Sequence, residues 1–339
     1  MTSPDVSIII PCRNEERYIF QCVDSILNQT YNGKVEIIIV DGMSDDDTLL
    51  IISELAKRHA NVKLISNIEK TTPQAMNLGL KAAVYDLILR IDAHAIALPD
   101  FIQKNVDTLF EYDEVMCAGG KIINIYENKV SHSIGMAMSS VFGVGNATFR
   151  VGGEKKFVDT LAFGIYRREV FDKIGDFDED LVRNQDDELN FRLTKNGYKI
   201  LYNPEIQSEY YVRGSIRKLY KQYYQYGYWK VYVNRKHKTV TSIRQLIPLF
   251  FVLGLFLSVL TSLLFPLFWY LLLFSITFYA ILALLFAYKS SEKLKEILGV
   301  ARVFPVLHFS YGLGYLVGIF HFLILGKKPS MKSKEITRA

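Results

Sequence analysis

Three polar clusters hold the acids and the histidine with which this chain could do chemistry. Asp92-Ala-His94 follows the mostly apolar run 86–91, and two residues of this spacing at a strand end leave the sheet on the same side. Asp41 follows the β-branched run 35–40. Gln185-Asp-Asp-Glu188 begins a predicted helix, whose dipole stabilises carboxylates in its first turn. These side chains could bind a metal ion and accept a proton.

Transfer of a group from a nucleotide diphosphate would use all three clusters. It needs groups that bind the base and ribose, a cation for the diphosphate and a base for the acceptor hydroxyl. Asp41 is placed to accept hydrogen bonds from a uracil or a ribose. Asp92 could ligate Mg²⁺ or Mn²⁺, which favour carboxylate and phosphate oxygens, and His94 is a borderline ligand. Asp186 is the predicted general base, with Asp187 as the alternative.

The elements that must position these groups alternate along the chain. Short β-branched runs predict strands at residues 6–10, 35–40 and 62–66. Helical patterns separate them at residues 18–28, 48–59 and 72–84. This alternation predicts an α/β fold with a mainly parallel sheet, which binds ligands at the carboxyl ends of its strands. The first strand lacks a GxGxxG motif after it, which argues against a dinucleotide-binding dehydrogenase. The glycine-rich region 117–165 is predicted to form added strands and a mobile loop.

A long apolar segment follows the α/β part. Residues 245–288 contain no charged residue and no histidine, which is enough for two membrane-spanning helices of about 20 residues each. Residues 303–326 could span the membrane or be re-entrant. The start of the chain lacks the pattern of a secretory signal, so the first 240 residues are expected in the cytoplasm. The cysteines agree with a reducing compartment, because no CxxC pair occurs among Cys12, Cys22 and Cys117.

Basic and aromatic residues dominate the segment just before the apolar run. Nine Lys or Arg residues and no acid lie between Arg213 and Arg244. Such a mixture also occurs on nucleic-acid-binding surfaces, but its position favours a helix on the membrane surface. The predicted organisation is a catalytic domain (1–212), a membrane-interface segment (213–244), two transmembrane helices (245–288), a cytoplasmic loop (289–302), the third apolar segment (303–326) and a basic tail (327–339).

Taken together, five motifs in this order resemble a known family. The chain is similar to family 2 inverting glycosyltransferases with a GT-A fold, and most of all to membrane-attached exopolysaccharide glucosyltransferases of the succinoglycan type. The similarity covers about residues 5–230. Its motifs are Ser7-Ile-Ile-Ile-Pro-Cys-Arg-Asn-Glu15, Val40-Asp-Gly-Met-Ser-Asp45, Asp92-Ala-His94, Asn184-Gln-Asp-Asp-Glu-Leu189 and Gln225-Tyr-Gly-Tyr-Trp229.

The resemblance implies a role for each motif. It assigns Asp92 to the diphosphate and the metal ion, Mg²⁺ or Mn²⁺, and Asp186 to the catalytic base. Gln225 and Trp229 stand where the family's Q-x-x-R-W motif helps to hold the acceptor or the diphosphate. The nucleoside site is implied to contain Pro11, Asn14, Glu15, Asp41 and Ser44.

Three positions depart from the family pattern. His94 replaces the second Asp of the usual DxD, and Gln185 replaces the Glu of the usual Glu-Asp pair. Tyr228 replaces the Arg before Trp229, which weakens the argument for processive polymerisation.

The predicted function is transfer of a hexose, glucose by the resemblance, from a UDP-sugar to a polyprenyl-linked acceptor in exopolysaccharide or related glycan synthesis. The predicted location is the cytoplasmic face of the plasma or inner membrane, in a multi-pass protein. Expected partners are the lipid bilayer and polysaccharide-assembly proteins, without nucleic acid. A processive polysaccharide synthase and a non-catalytic GT-A scaffold are the alternatives.

Overall fold

One mixed sheet organises the first part of the structure, a computed structural model that describes residues 3–329. Within these residues its strands are β1 (Val6–Cys12), β2 (Val35–Asp41), β3 (Val62–Ser66), β4 (Leu87–Arg90), β5 (Ala95–Ala97), β6 (Val115–Ile125), β7 (Lys156–Val158), β8 (Gly164–Arg167) and β9 (Lys199–Tyr211). Their order is β3-β2-β1-β4-β8-β6-β9-β5, and β7 pairs with β9. The strands β3, β2, β1 and β4 are parallel, whereas β8 is antiparallel to β4 and β6.

Helices connect the strands and then continue as a helical part. They are α1 (Ile19–Leu27), α2 (Thr48–Arg58), α3 (Thr72–Ala82), α4 (Phe101–Leu109), α5 (Lys129–Met138), α6 (Val141–Val144), α7 (Thr148–Val151), α8 (Glu169–Ile174), α9 (Gln185–Lys195), α10 (Ile216–His237), α11 (Ile247–Leu264), α12 (Phe268–Tyr288) and α13 (Leu294–Gly318). A 3₁₀ turn (Ile243–Leu246) precedes α11, and a π-helical turn (Ile319–Ile324) extends α13. The described residues divide into two compact units, 3–124 with Gly152–Tyr211, and Ile125–Val151 with 212–329.

The central strands of the first unit follow from their β-branched sequence. The side chains of Ile8 to Ile10 in β1 and of Ile37 to Ile39 in β2 are fully buried, as expected for parallel strands that are covered on both faces. Their register runs from Val6 opposite Val35 to Cys12 opposite Asp41, so both strands end at the same edge. The predicted α/β fold with a mainly parallel sheet is therefore confirmed.

Region 117–165 differs from its prediction. Instead of added strands and a mobile loop alone, it contains three helices, α5 to α7, between β6 and β7. Asn128 and Ser131 form a reciprocal capping box that starts α5. Because α6 and α7 have four residues each, they are too short to give a helical pattern in the sequence. These helices belong to the second compact unit, although they fall within residues 1–212. The predicted bounds of the catalytic domain stay a prediction.

An aromatic cluster explains why these short helices join the second unit. The Phe142 ring of α6 lies 5.0 Å from that of Phe286 in α12 and 4.9 Å from that of Phe304 in α13. His308 of α13 also contacts the Phe142 carbonyl oxygen through Nε2 at 2.7 Å. The loop is thus held by hydrophobic contacts that its own sequence pattern does not reveal.

Three helices in the described part of the chain are long and apolar enough to cross a membrane. They cover Ile243–Leu264, Phe268–Tyr288 and Leu294–Ile324. Only 17% of the most apolar window is buried in each of the first two, against 44% in the third. Much of the surface of the third helix is therefore in contact with other parts of the protein. Residues 330–339 of the predicted basic tail lie outside the described residues.

Glycines bring α10 and α13 into backbone contact. A Cβ atom at Gly227 of α10 would overlap the Tyr311 carbonyl oxygen, and one at Gly314 of α13 would overlap the Tyr224 carbonyl oxygen. Further along, Arg235 donates hydrogen bonds of 2.7 Å to the carbonyl oxygens of Phe322 and Lys327. Close contact at these glycines therefore holds α10 against α13, and the Arg235 side chain of α10 binds the carbonyl oxygens that follow α13.

We expect Gly314→Ala to destabilise the second unit by about 1–3 kcal/mol, since backbone must move to admit the methyl group. Gly254→Ala is the matched control, because nothing lies within 4 Å of a Cβ at Gly254 in the middle of α11. The control should be neutral or slightly stabilising, as alanine favours a helix over glycine. Thermal unfolding in detergent micelles measures both, and equal midpoints for the two variants would contradict the close contact.

Candidate functional site

The site lies where the order of the strands reverses direction. From β1 the chain proceeds to β2 and β3 on one side, and it then returns to place β4 on the other side of β1. In open α/β sheets such a switch point leaves a crevice at the carboxyl ends of the two central strands. The segment after β1 contains Asn14 and Glu15, and the segment after β4 contains Asp92 and His94. Four predicted site residues therefore flank one crevice.

The loops after β1 and β2 are joined by hydrogen bonds among their predicted nucleoside residues. Asn14 donates through Nδ2 to Asp45 Oδ1 at 2.6 Å, and its backbone N–H donates to Ser44 Oγ at 2.9 Å. Ser44 in turn donates from Oγ to Asp41 Oδ1 at 2.5 Å. Asn14 has a φ of 55°, a left-handed conformation that asparagine tolerates. Pro11 lies one strand position before the end of β1. The arrangement fixes the polar edge of the crevice.

Glu15 and His94 connect the first loop to the third cluster. Glu15 Oε1 lies 3.1 Å from His94 Nδ1, and His94 Nε2 is buried with no hydrogen-bond partner within residues 3–329. Burial lowers the pKa of His94, but Tyr210 and the Glu15 carboxylate outweigh it and raise the pKa to about 9. The raised pKa favours the protonated imidazole, which can donate a hydrogen bond to an anion. The predicted role of His94 as a metal ligand stays a prediction.

One buried arginine contacts both Asp92, which is predicted to bind the diphosphate and its metal ion, and Asp186, which is predicted to accept the proton. Arg90, at the end of β4, donates from Nη2 to Asp92 Oδ1 at 2.8 Å. Its Nη1 atom forms an ion pair with Asp186 Oδ2. The arginine is 4% exposed. Asp92 and Asp186, which are 94 positions apart in the sequence, thus face one guanidinium.

Asp186 stands in the first turn of α9, and its neighbour Glu188 explains how that turn is fixed. Glu188 is fully buried and binds Arg192 through both carboxylate oxygens, at 2.8 and 3.0 Å from Nε. Arg192 also donates to the carbonyl oxygens of Gly175 and Asp176, in the turn after α8. Of the three predicted acids, Glu188 is therefore structural. Asp186 contacts Arg90.

Burial governs the protonation of Asp186. It raises the pKa of Asp186 to about 6, a rise that the cation of Arg90 opposes and the charge of Asp92 reinforces. A carboxylate with this pKa is ionised at neutral pH and binds a proton more readily than an exposed aspartate. These are the properties of a general base.

The donor set near Asp92 fits a divalent ion that shares its ligands with a substrate. Residues 3–329 contain no cluster of three or more His, Cys, Asp or Glu side chains that could enclose an ion. Asp92 offers one hard oxygen ligand, and Mg²⁺ in phosphate-transfer sites commonly uses one or two carboxylates together with phosphate oxygens and water. Asp92 suits such an ion better than His94 does, because Mg²⁺ and Mn²⁺ favour oxygen ligands and an imidazole is a borderline ligand for them.

Gln225 and Trp229 belong to the second unit, where both lie on buried positions of α10. The Trp229 Nε1 atom is buried without a hydrogen-bond partner in the described part of the chain. Tyr228, which stands at the position of the family's Arg, contacts His321 Nδ1 through its hydroxyl at 3.1 Å. Their predicted role in acceptor binding stays a prediction.

Sequence reasoning missed Arg90. The residue lies within the mostly apolar run before Asp92, and a lone arginine in an otherwise buried strand is unusual unless it is paired. That exception is the signal that could have found it. The partner on α9 is visible only in the folded chain.

Comparisons with known proteins identify the family. Residues 7–175 match Glycosyl transferase family 2. The chain is 34% identical to a dolichyl N-acetyl-alpha-D-glucosaminyl phosphate 3-beta-D-2,3-diacetamido-2,3-dideoxy-beta-D-glucuronosyltransferase of Methanococcus voltae, over 95% of this chain and 98% of the relative. It is 27% identical to the succinoglycan biosynthesis protein ExoA of Rhizobium meliloti (strain 1021), over 74% of this chain and 76% of the relative.

A solved structure has a similar fold over nearly the whole chain. It is the mannosyltransferase PcManGT from Pyrobaculum calidifontis in complex with GDP-Man and Mn²⁺, with a TM-score of 0.58 and 17% identity. The match covers 96% of this chain and 88% of that one. At this identity it establishes the GT-A fold, which confirms the predicted fold class. The Methanococcus voltae relative matches over nearly its whole length, and residues 7–175 match the family. This chain therefore belongs to glycosyltransferase family 2.

Proposed function

We propose that this glycosyltransferase moves a hexose from a UDP-sugar to a polyprenyl-linked acceptor, with inversion, on the cytoplasmic face of the membrane. The observation that carries the proposal is the pairing of Asp92 and Asp186 with one guanidinium. A carboxylate suited to a metal–diphosphate group and a carboxylate suited to accept a proton are thereby held side by side. The name of the first relative gives dolichyl N-acetyl-alpha-D-glucosaminyl phosphate as its acceptor, and the second relative is named for succinoglycan biosynthesis.

In the proposed reaction the acceptor hydroxyl oxygen attacks the anomeric carbon from the face opposite the diphosphate. Asp186 takes the hydroxyl proton as the new C–O bond forms, and the bond from the anomeric carbon to the diphosphate oxygen breaks, so that UDP leaves with the electron pair. A divalent ion bound through Asp92 would offset the charge on the departing diphosphate. His94 would supply a further positive charge from beside Glu15.

A donor screen tests the proposal directly. The purified full chain is mixed with UDP-hexoses, UDP-hexosamines, a UDP-linked diacetamido hexuronic acid and, as comparison, GDP-mannose, each with Mn²⁺ or Mg²⁺. Polyprenyl-phosphate-linked N-acetylglucosamine and a membrane lipid extract serve as acceptors. We expect divalent-dependent UDP release that requires an acceptor. Release of nucleotide from none of these donors would support a non-catalytic scaffold and contradict the proposal.

We expect Asp186→Asn to lower the turnover number by about 10²- to 10⁴-fold, the usual contribution of a general base, while UDP binding stays nearly unchanged. Asp187→Asn is the matched control, since it makes the same change one residue further along the first turn of α9. Turnover at saturating donor and calorimetric titration with UDP and Mn²⁺ measure the two quantities. A larger loss in Asp187→Asn than in Asp186→Asn would reverse the assignment.

The rate should fall at acidic pH because Asp186 must be ionised to accept a proton. With a pKa of about 6, the active form is nearly complete above pH 7 and is lost as the pH falls below 6. We expect kcat/KM to decrease about tenfold per pH unit below pH 6, as for the loss of one ionised group. A profile that stays flat down to pH 5 would contradict the raised pKa. Asp187→Asn should shift the fall in rate slightly to lower pH, because the charge of Asp187 helps to raise the pKa of Asp186.

Contacts within the second unit support two membrane crossings rather than three. Helices α11 and α12 form an apolar hairpin, so residues before α11 and residues after α12 would lie on the same side. Arg235 of α10, before the hairpin, donates to the carbonyl oxygens of Phe322, in the π-helical turn that extends α13, and of Lys327 after that turn. The near end of α13 begins at Leu294, soon after α12 ends at Tyr288. Both ends of α13 are therefore expected on the same side of the membrane, so that α13 lies along the surface and does not cross. The buried face of α13 and the many basic residues of α10 suit the cytoplasmic membrane surface.

Accessibility of single cysteines to a membrane-impermeant maleimide tests this topology. Three variants report on it: Val240→Cys before the hairpin, Leu267→Cys in its turn and Lys328→Cys after α13. Leu267→Cys should react in intact cells, and the other two only after permeabilisation. The three native cysteines are buried, which keeps the background low. Joint labelling of Leu267→Cys and Lys328→Cys in intact cells would show that α13 crosses the membrane.

A further inference from the structure

Arg90 is the one polar group, among the described residues, that bonds the Asp186 carboxylate. Its Nη1 atom pairs with Asp186 Oδ2, whereas Asp186 Oδ1 is buried with no hydrogen-bond partner in residues 3–329. The Asp186 side chain is 23% exposed, so water can reach only part of it. The orientation of this carboxylate therefore depends on a single side chain.

The arginine itself is held from two directions. Its backbone belongs to β4, where Arg90 pairs with Ile9 of β1, and β8 continues the sheet on the other side of β4. Its guanidinium is fixed by Asp92 at 2.8 Å, and Nη1 also lies 3.4 Å from the Ala162 carbonyl oxygen. A planar guanidinium with several fixed donors holds two carboxylates in a defined relation, which a single ammonium group cannot do.

Charge gives the arginine a second effect. Asp92, Asp186 and Arg90 are mostly buried and together carry a net charge of −1. Removal of the arginine cation would leave two carboxylates facing each other. A buried carboxylate without its partner is strongly disfavoured and would move or take up a proton. Among the described residues, Tyr166 of β8, Cys117 of β6 and Asp187 of α9 also act electrostatically on Asp186, and none of these three is a cation.

We propose that Arg90 is a positioning residue for the transfer reaction: it holds the Asp186 carboxylate, from strand β4, in the orientation in which it accepts the acceptor proton. This proposal rests on the proposed function and deepens it, because it assigns the orientation of the Asp186 carboxylate to a residue outside α9. Arg90 touches neither substrate in this role. It acts through Asp186.

Three variants test the assignment. Arg90→Met removes the cation and both donors, and Arg90→Lys keeps the cation but cannot bond both carboxylates. Arg167→Met is the matched control, since Arg167 lies on the neighbouring strand β8 and is partly buried, but donates only to the carbonyl oxygens of Val115 and Leu109. Turnover at saturating donor is measured with the UDP-sugar that gives the fastest release in the donor screen. Calorimetric titration with UDP and Mn²⁺ measures nucleotide binding and shows that each variant is folded.

We expect Arg90→Met to lower the turnover number about 100-fold or more, with the Kd for UDP within about threefold of wild type. Arg90→Lys should exceed Arg90→Met by about tenfold, because it retains a charge beside Asp186. Arg167→Met should keep both quantities within about threefold of wild type.

The possible failures are distinguishable. If Arg90→Met turns over like Arg167→Met, the inference is wrong and the proposed function stands. If both Arg90 variants lose UDP binding while their turnover at saturating donor is preserved, Arg90 serves Asp92 and the donor rather than the base, which also overturns the inference. If the wild-type chain releases no UDP with any donor, the proposed function fails first, and the inference falls with it.

Discussion

The contact of one guanidinium with two carboxylates is the constraint on which the rest of the site depends. Asp92 follows the last parallel strand of the switch point, and Asp186 opens a helix nearly a hundred residues later. Two anions would not stay close in a buried place without a cation between them. Arg90 supplies that cation from the sheet, so the rigid element of the fold sets the distance between the two acids.

A different kind of constraint holds the second unit together. Helices α11 and α12 contain no charged side chain, and the contact between α10 and α13 relies on glycines at which no larger residue fits. Such contacts need no hydrophobic driving force between the helices, which suits a helical unit next to lipid. The same closeness explains why α13 is much more buried than the other two apolar helices.

Local patterns made the sheet and the acids predictable, but not the contacts between distant segments. The β-branched runs of β1 and β2 and the acids after them are visible in the sequence because burial on both faces demands such runs. The role of Arg90 could not be predicted because its partner Asp186 comes from α9. The structural role of Glu188 could not be predicted because it depends on Arg192 and the turn after α8. Helices α5 to α7 escaped because Phe142 is fixed by residues more than 140 positions away. Each miss is a tertiary contact without a local signature.

The apolar hairpin α11–α12 has a consequence for the kinetics of encounter. In the proposed reaction, a chain anchored in a bilayer by this hairpin would search for its lipid-linked acceptor by diffusion in two dimensions, and tethering of both reactants to one surface would raise their effective concentration. Weak contacts to the acceptor sugar would then suffice for turnover. Released from the membrane by detergent, the same active site would need a far higher acceptor concentration to reach the same rate.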